Sequence, residues 1–538
     1  MKFFKMPLLS VLLATVAFSA QAIVPCSILP EPQQINYGEG SFHWKEQVSI
    51  AFPKELSGEV RLMGNWLAGD FAIHPILYEG KEKADIRLLL NPAVLPGQPE
   101  GYLLEVKNKN IIISANTPTG ILYGMQTLRQ MIRNENGRYL TRAVTITDYP
   151  AFSWRAFMLD ESRHFMGVKT VKRLLDDMLQ LKMNTFHWHL GDDNGWRIEI
   201  KKYPKLTEIG SKMNYSHRNR SLKAWNYYYP KRAYYTQDEI REIVAYAAQR
   251  GIRIIPEMEV PAHSSAAITA YPWLGASSRK ENIPHYTDLY VVCDPKVERF
   301  ITDVLDEMVS LFPSKIIHIG GDEVVVSHWE KSPEVVQFMA DNHIETFHEL
   351  QVWATNRLSR YLASKSYRMI AWHGAWNGIE KDMANTNGQQ ARTNEKLAEE
   401  TIIQFWSDDS NRIVKIIEKG YDVVNSNSKY TYLCNAASLK TSYEFDPIPE
   451  GLTAAQQKKV LGLGCQMWTE FTPSEEYLNY RVYPRIAAFA ETGWTDPAKK
   501  DYDRFLHSLN YFLEKWEKAG IEYCPVTQYL DSIPPWPW

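Results

Sequence analysis

From about residue 150 onward the chain alternates short apolar runs with amphipathic helical stretches, and no other feature limits its possible folds so tightly. The runs Ala156–Asp160, Thr185–Leu190, Arg253–Val260, Ile316–Gly320, Arg368–Trp372, Ile402–Trp406, Asp422–Asn425 and Leu461–Trp468 read as strands. Helical stretches such as Lys169–Leu181 and Thr236–Gln249 lie between them. Repeated βα units imply a parallel sheet. Eight of them in about 350 residues fit a closed (β/α)8 TIM barrel with inserted loops. An open doubly wound sheet is the competing α/β arrangement, but no glycine-rich dinucleotide fingerprint follows any strand. The barrel and a C-terminal tail are assigned to residues 148–538.

Residues 23–147 read as a separate, small α+β accessory domain. Val48–Phe52 and Ile86–Leu90 are strand-like, and Tyr102–Val106 pairs with Ile111–Ser114 through the turn Lys107–Asn110. Thr119–Arg133 places Leu122, Met125, Leu128 and Met131 on one helical face. Residues 1–22 carry Lys2 and Lys5, an apolar run and Ala20-Gln21-Ala22, the pattern of a secretory signal peptide. Export to the periplasm or beyond the cell is the expectation, with no transmembrane span. The 60 basic and 63 acidic side chains leave a net charge of −3, so no electrostatic footprint for nucleic acid exists. Five scattered cysteines suggest neither a disulfide framework nor a zinc site, and free, mostly buried thiols are expected. Aromatic residues make up 12% of the chain, which suits flat sugar faces as well as packing.

Barrel chemistry belongs at the carboxyl ends of strands, where this chain concentrates its distinctive residues. The sharpest group is His318-Ile319-Gly320-Gly321-Asp322-Glu323. Adjacent acids on a regular strand face opposite ways, and Gly320-Gly321 supplies the freedom to bring both into one pocket. Two carboxylates this close are expected to keep one proton near neutral pH. A standard retaining glycosidase needs carboxylates about 5–5.5 Å apart across the sugar, which chain neighbours straddle poorly. They suit another division of labour: Glu323 protonates the leaving oxygen while Asp322 orients a group of the substrate itself, as in substrate-assisted catalysis by a 2-acetamido sugar.

With these motifs in order, the chain resembles the family 20 glycoside hydrolases, exo-acting β-N-acetylhexosaminidases. The resemblance runs from Ile28-Leu29-Pro30-Glu31-Pro32 and the Gly120–Arg129 stretch to Trp154-Arg155 and Ser162-Arg163-His164-Phe165. It continues through Asn184–Leu190, Asp192-Asp193, Gly195-Trp196-Arg197, Glu257–His263 and HIGGDE. It implies Glu323 as general acid and base, Asp322 as acceptor of the acetamido N–H, and Tyr432 as donor to the acetamido oxygen. It implies Trp372, Trp406 and Trp468 as subsite walls, Arg155 and Glu470 as hydroxyl-binding groups, and Asp192–His263 as a relay to Glu323. Structural alternatives are Trp372 as core, Arg163 and Asp193 as strand bridges, and Asp192–His263 as a structural pair. The family pattern has an acid, facing the sugar's 6-position, where Cys434 stands, and acids where His373 follows Trp372. Cys434 and His373, with the basic loop Arg218–Arg232, are therefore specificity candidates that would admit a 6-substituted sugar such as a 6-sulfate; simple packing of Cys434 is the other reading. The preference for GlcNAc over GalNAc stays open. Release of a disaccharide, as by a lacto-N-biosidase, and a non-catalytic sugar-binding role are the alternatives in function. A terminal glycan is the expected partner, with no cofactor and no metal.

Overall fold

The computed structural model describes residues 27–80, 83–212, 232–281, 287–377 and 396–526. The signal segment, Cys26 and all of the basic loop except Arg232 lie outside the described residues. Two sheets organise the chain. The first comprises β1 (Gln34–His43), β2 (Gln47–Phe52), β3 (His74–Glu79), β4 (Ile86–Leu90), β5 (Tyr102–Val106), β6 (Ile111–Ala115), β7 (Arg133–Glu135) and β8 (Arg138–Asp148). Its order is β1-β8-β5-β6-β4-β2-β3, with β7 paired to β8. The hairpin β5–β6 is antiparallel and closes where Lys107 N–H donates to Asn110 at 2.9 Å. The helix Pro118–Met131 starts with Pro118 in its first turn and the Thr117 hydroxyl accepting from Gly120 N–H. Its Ile121, Leu122, Met125 and Leu128 are buried in the same apolar cluster as Ile86, Leu104 and Ile113 of the sheet.

The second sheet is the barrel: β9 (Trp154–Asp160), β10 (Thr185–Asp192), the short β11 (Gly195–Trp196), β12 (Arg253–Met258), β13 (Ile316–His318), β14 (Arg368–Trp372), β15 (Ile402–Phe405), β16 (Asp422–Asn425) and β17 (Val460–Met467). Parallel pairing runs from β9 through β10 and β12 to β17, and β17 closes on β9. β11 alone is antiparallel, turned back on β10. These are the eight strands expected, with ends moved by a few residues at most. Helices cover the outside with one apolar face each. A capping box at Thr236 and Glu239 starts the helix Gln237–Ala248, and another at Thr346 and Glu349 starts Phe347–Ser364. Inside, Trp154, Ala156, Ile255, Ile316, Ile370, Ile402 and Val424 form a separate apolar plug. That plug closes the amino end of the barrel and leaves the other end for chemistry. Cys293, Cys434 and Cys465 are free thiols, and Cys465 and Cys524 are buried.

Candidate active site

Side chains on one face of a strand recur every second residue. Two positions beyond Ile255, Ile316, Ile370 and Ile402 of the plug, the same strands therefore present Glu257, His318, Trp372 and Gln404, all buried. Polar groups replace apolar ones as the strands approach their carboxyl ends, and the site is the next layer up.

The acid pair owes its placement to the glycines. β13 stops at His318, and Gly320 and Gly321 take φ of 65° and 96°. A Cβ on Gly320 would lie 1.6 Å from Glu259 Oε2, and one on Gly321 would lie 2.6 Å from Ala375 Cβ. Glu259 Oε2 in turn accepts from Gly321 N–H at 3.1 Å. Glu323 itself is left-handed at φ 50°, as is His263 at 49°. Such conformations cost roughly 1–3 kcal/mol each in non-glycine residues and collect at functional sites.

Behind the acid lies an imidazole. His263 Nε2 is 3.4 Å from Glu323 Oε2, and its Nδ1 is 3.3 Å from Asp192 Oδ1 and 3.3 Å from Asp193 Oδ2. The structure thus brings Asp192, His263 and Glu323 into one line, as the relay reading requires. Burial opposes charge on His263, but Asp192 and the hydrogen bonds to Asp193 and Glu323 hold it protonated well above the ordinary range. Burial would push Glu323 up, yet the hydrogen bond and charge of His263, with Arg163 behind, hold it below the usual carboxylate range. His263 is thus pushed toward its protonated form and Glu323 toward its ionised one, the opposite direction from a raised Glu323. Glu259 is a raised carboxyl, which burial and then the nearby Asp322 and Glu257 charges drive well above its ordinary value.

Aromatic rings form the floor. Trp372 is fully buried, with its ring centroid 6.0 Å from that of Trp468, while Trp406 and Trp468 are half-buried. Tyr432 follows the strand β16, bridges to Gln466 of β17 and approaches Trp468 at 6.0 Å. Burial and the charge of Asp322 hold its hydroxyl protonated far above the usual range, so it stays a donor facing the acid pair. Leu433 is buried in the core, and Cys434 sits in the turn that Asn435 N–H closes on the Tyr432 carbonyl at 3.0 Å, within the fields of Tyr432 and Glu470. Burial and the charge of Glu470 push the Cys434 thiol up to about 12, so it is neutral.

Two expected site residues are elsewhere. Arg155 is the second residue of β9, about 16 Å of strand from the mouth. It is wholly buried, paired to Glu100 at 2.7 Å and bonded to the carbonyls of Lys182 and Phe152. The arginine at the mouth is Arg163: its Nη2 lies 2.8 Å from Asp192, its guanidinium covers Trp468 at 5.1 Å, and Glu470 lies within its field. His373 is only 2% exposed and packs edge-on behind Trp406 with centroids 5.3 Å apart, so it lines no outer sugar face.

Three strand-end residues had no role assigned from the sequence. Glu161, bonded to Tyr235 and Met166 N–H, is raised by burial to about 7. His189 and Glu257 lie under the relay, and the period-two spacing of His187/His189 and Glu257/Glu259 could have placed them inside the barrel. The imidazoles of His187 and His318 approach Glu257 within range of a shared metal ion. His187 Nε2 lies 2.8 Å from Glu257 Oε2, and His318 Nδ1, which accepts from Gly320 N–H at 3.0 Å, lies 2.9 Å from Oε1.

An acid pair on a glycine turn above an aromatic floor, at the carboxyl ends of barrel strands, fits cleavage of a glycosidic bond, and a family match makes the protein a (β/α)8-barrel glycoside hydrolase. Residues 152–497 match the glycosyl hydrolase family 20 catalytic domain and residues 25–149 match that family's domain 2. The chain belongs to glycosyl hydrolase family 20. It is 32% identical over 524 residues to a β-hexosaminidase of Porphyromonas gingivalis, covering 92% of this chain and 64% of that protein. The solved β-N-acetylhexosaminidase of Bacteroides fragilis superposes with a TM-score of 0.81 at 28% identity, covering 95% of this chain and 99% of that one. The exo-β-N-acetylglucosaminidase of Vibrio harveyi, solved with N-acetylglucosamine, gives 0.79 at 28% identity over 93% of this chain and 78% of that one.

Proposed function

We propose that the protein is an exo-acting β-N-acetylhexosaminidase that removes terminal β-linked N-acetylhexosamine with retention, through an oxazolinium intermediate. The observation that carries this is the placement of Asp322. It adjoins the acid Glu323 on the glycine turn and lies close enough to Tyr432 to raise its hydroxyl, so carboxylate and phenol can grip one acetamido group from two sides. The amide oxygen then attacks the anomeric carbon, Asp322 stabilises the N–H as positive charge develops, and Glu323 protonates the departing oxygen. Glu323 next takes a proton from the water that opens the intermediate. Arg163 and Glu470 would bind ring hydroxyls as a charged donor and a charged acceptor.

A p-nitrophenyl β-N-acetylglucosaminide should be hydrolysed, and the matching glucoside, which lacks the amide, should scarcely react. A tetrasaccharide should lose monosaccharide units; release of a disaccharide, or a sugar trapped as an ester on a side chain, would overturn the reading. The neutral thiol of Cys434, where the family pattern has an acid, supports acceptance of a 6-substituted sugar, read as retained kcat/KM on the 6-sulfated substrate. The charged and apolar pattern of residues 1–22 supports export.

A further inference from the structure

The relay read from the sequence ends at Asp192, but the structure continues it downward into the barrel. His189 Nε2 lies 2.8 Å from Asp192 Oδ2, and His189 Nδ1 lies 2.5 Å from Glu257 Oε2. Both His189 and Glu257 are fully buried. We propose that Glu257 and His189 are positioning residues for the general acid, the inner half of a chain Glu257–His189–Asp192–His263–Glu323 that fixes Asp192 and, through it, His263 against Glu323. The inference rests on the hexosaminidase reading above.

The chain alternates carboxylate and imidazole, and each imidazole has a carboxylate at both nitrogens. An imidazole can donate from both nitrogens only when protonated. Glu257 on one side and Asp192 on the other therefore hold His189 as a cation against the cost of burying it. A neutral His189 could place its lone pair toward Asp192 and repel it; the doubly bonded cation cannot. Arg163 Nη2 also holds Asp192 Oδ2 at 2.8 Å, and the backbone N–H of Asp193 donates to Oδ1, the oxygen that faces His263. Among the remaining charged neighbours, His187 and His318 face Glu257, and burial keeps His187 neutral down to about 4. Asp160 and Glu470 face Arg163, and Asp322 faces Glu259. None of these stands between Glu257 and Asp192, so the path to the acid runs through His189.

The sign of the pH effect follows. The His263–Glu323 pair must hold a proton when the glycosidic oxygen leaves, and that proton is lost as pH rises through the raised value of His263. Whatever loosens Asp192 lowers that value and moves the alkaline limb of kcat/KM to lower pH. The test is Glu257→Gln, with wild type and variant compared on an activated dinitrophenyl glycoside and on an N-acetylglucosamine disaccharide. Only the disaccharide needs protonation of its leaving group. The variant should lose about tenfold or more in kcat on the disaccharide, much less on the activated substrate, and its alkaline limb should move acidward. Equal losses on both substrates with an unmoved limb would show a merely structural role and overturn the proposal. If Glu257→Gln does not fold, His189→Gln is read in the same way. Wild-type turnover on either substrate tests the hexosaminidase reading separately.

Discussion

At the residue scale, the acid pair divides one reaction between two neighbours. Glu323 supplies a proton that only a poor leaving group requires, so Glu323→Gln should cut kcat by roughly 10²–10⁴-fold on a disaccharide and far less on a dinitrophenyl glycoside. Asp322→Asn withdraws support from the positive charge of the cyclised amide, which forms whatever the leaving group is, and should depress both. Steady-state kinetics on the two substrates check the pair, and a Glu323→Gln loss independent of leaving group would remove it from the role of acid. These two residues were legible because packing alone gives a strand end little use for Gly-Gly followed by Asp-Glu. The site arginine was not. Arg155 and Arg163 bracket one strand, and Arg155 came from the resemblance, although the rule that barrel chemistry sits at carboxyl ends already favours Arg163. Nor did the sequence show that Glu323 is held down rather than raised, because that depends on His263 and Arg163 arriving from other parts of the chain.

At the element scale, the eight strands were readable because buried parallel strands are short, apolar and separated by helices with strong periodicity. β1, β3, β7 and β8 of the first sheet escaped notice. In β1 and β3 most positions are exposed or half-exposed, so their apolar signal is weak, as at an edge of a sheet. The glycine turn after β13 is the element on which the site depends most directly. Gly320 has φ of 65° and no space for a Cβ, since Glu259 already fills that volume. Gly320→Ala must either leave the left-handed region or displace the Glu259 carboxyl, and both movements drag Asp322 and Glu323. Activity should fall by at least about a hundredfold, the scale of a 1 Å misplacement, while circular dichroism retains the barrel signal. An active Gly320→Ala would show that the turn tolerates what its geometry excludes.

At the scale of the whole molecule, the first sheet reaches the barrel through buried charge. Arg155 takes Glu100 from the segment before β5, while Lys182 pairs with Asp148 at the end of β8 at 2.8 Å. Trp494 of the barrel donates its ring N–H to the same Asp148 and lies under both cations, 5.1 Å from Arg155 and 4.4 Å from Lys182. Buried pairs add little net stability relative to an apolar replacement, but breaking one strands the partner. Arg155→Met would leave Glu100 beside Asn184 without its bidentate cation and free the carbonyls of Lys182 and Phe152. The expected cost is about 3–5 kcal/mol, seen as a lower urea midpoint. The double variant Arg155→Met with Glu100→Gln should recover part of that loss, because the stranded carboxylate is then gone. kcat/KM of the folded enzyme should stay within about twofold of wild type in both variants, since no atom of Arg155 reaches the mouth. Arg163→Met should raise KM and lower kcat and also lower the midpoint, since it leaves the buried Asp160 and Asp192 without their cation. If Arg155→Met instead abolishes substrate binding at full stability, the arginine at the amino end of β9 belongs to the sugar site after all.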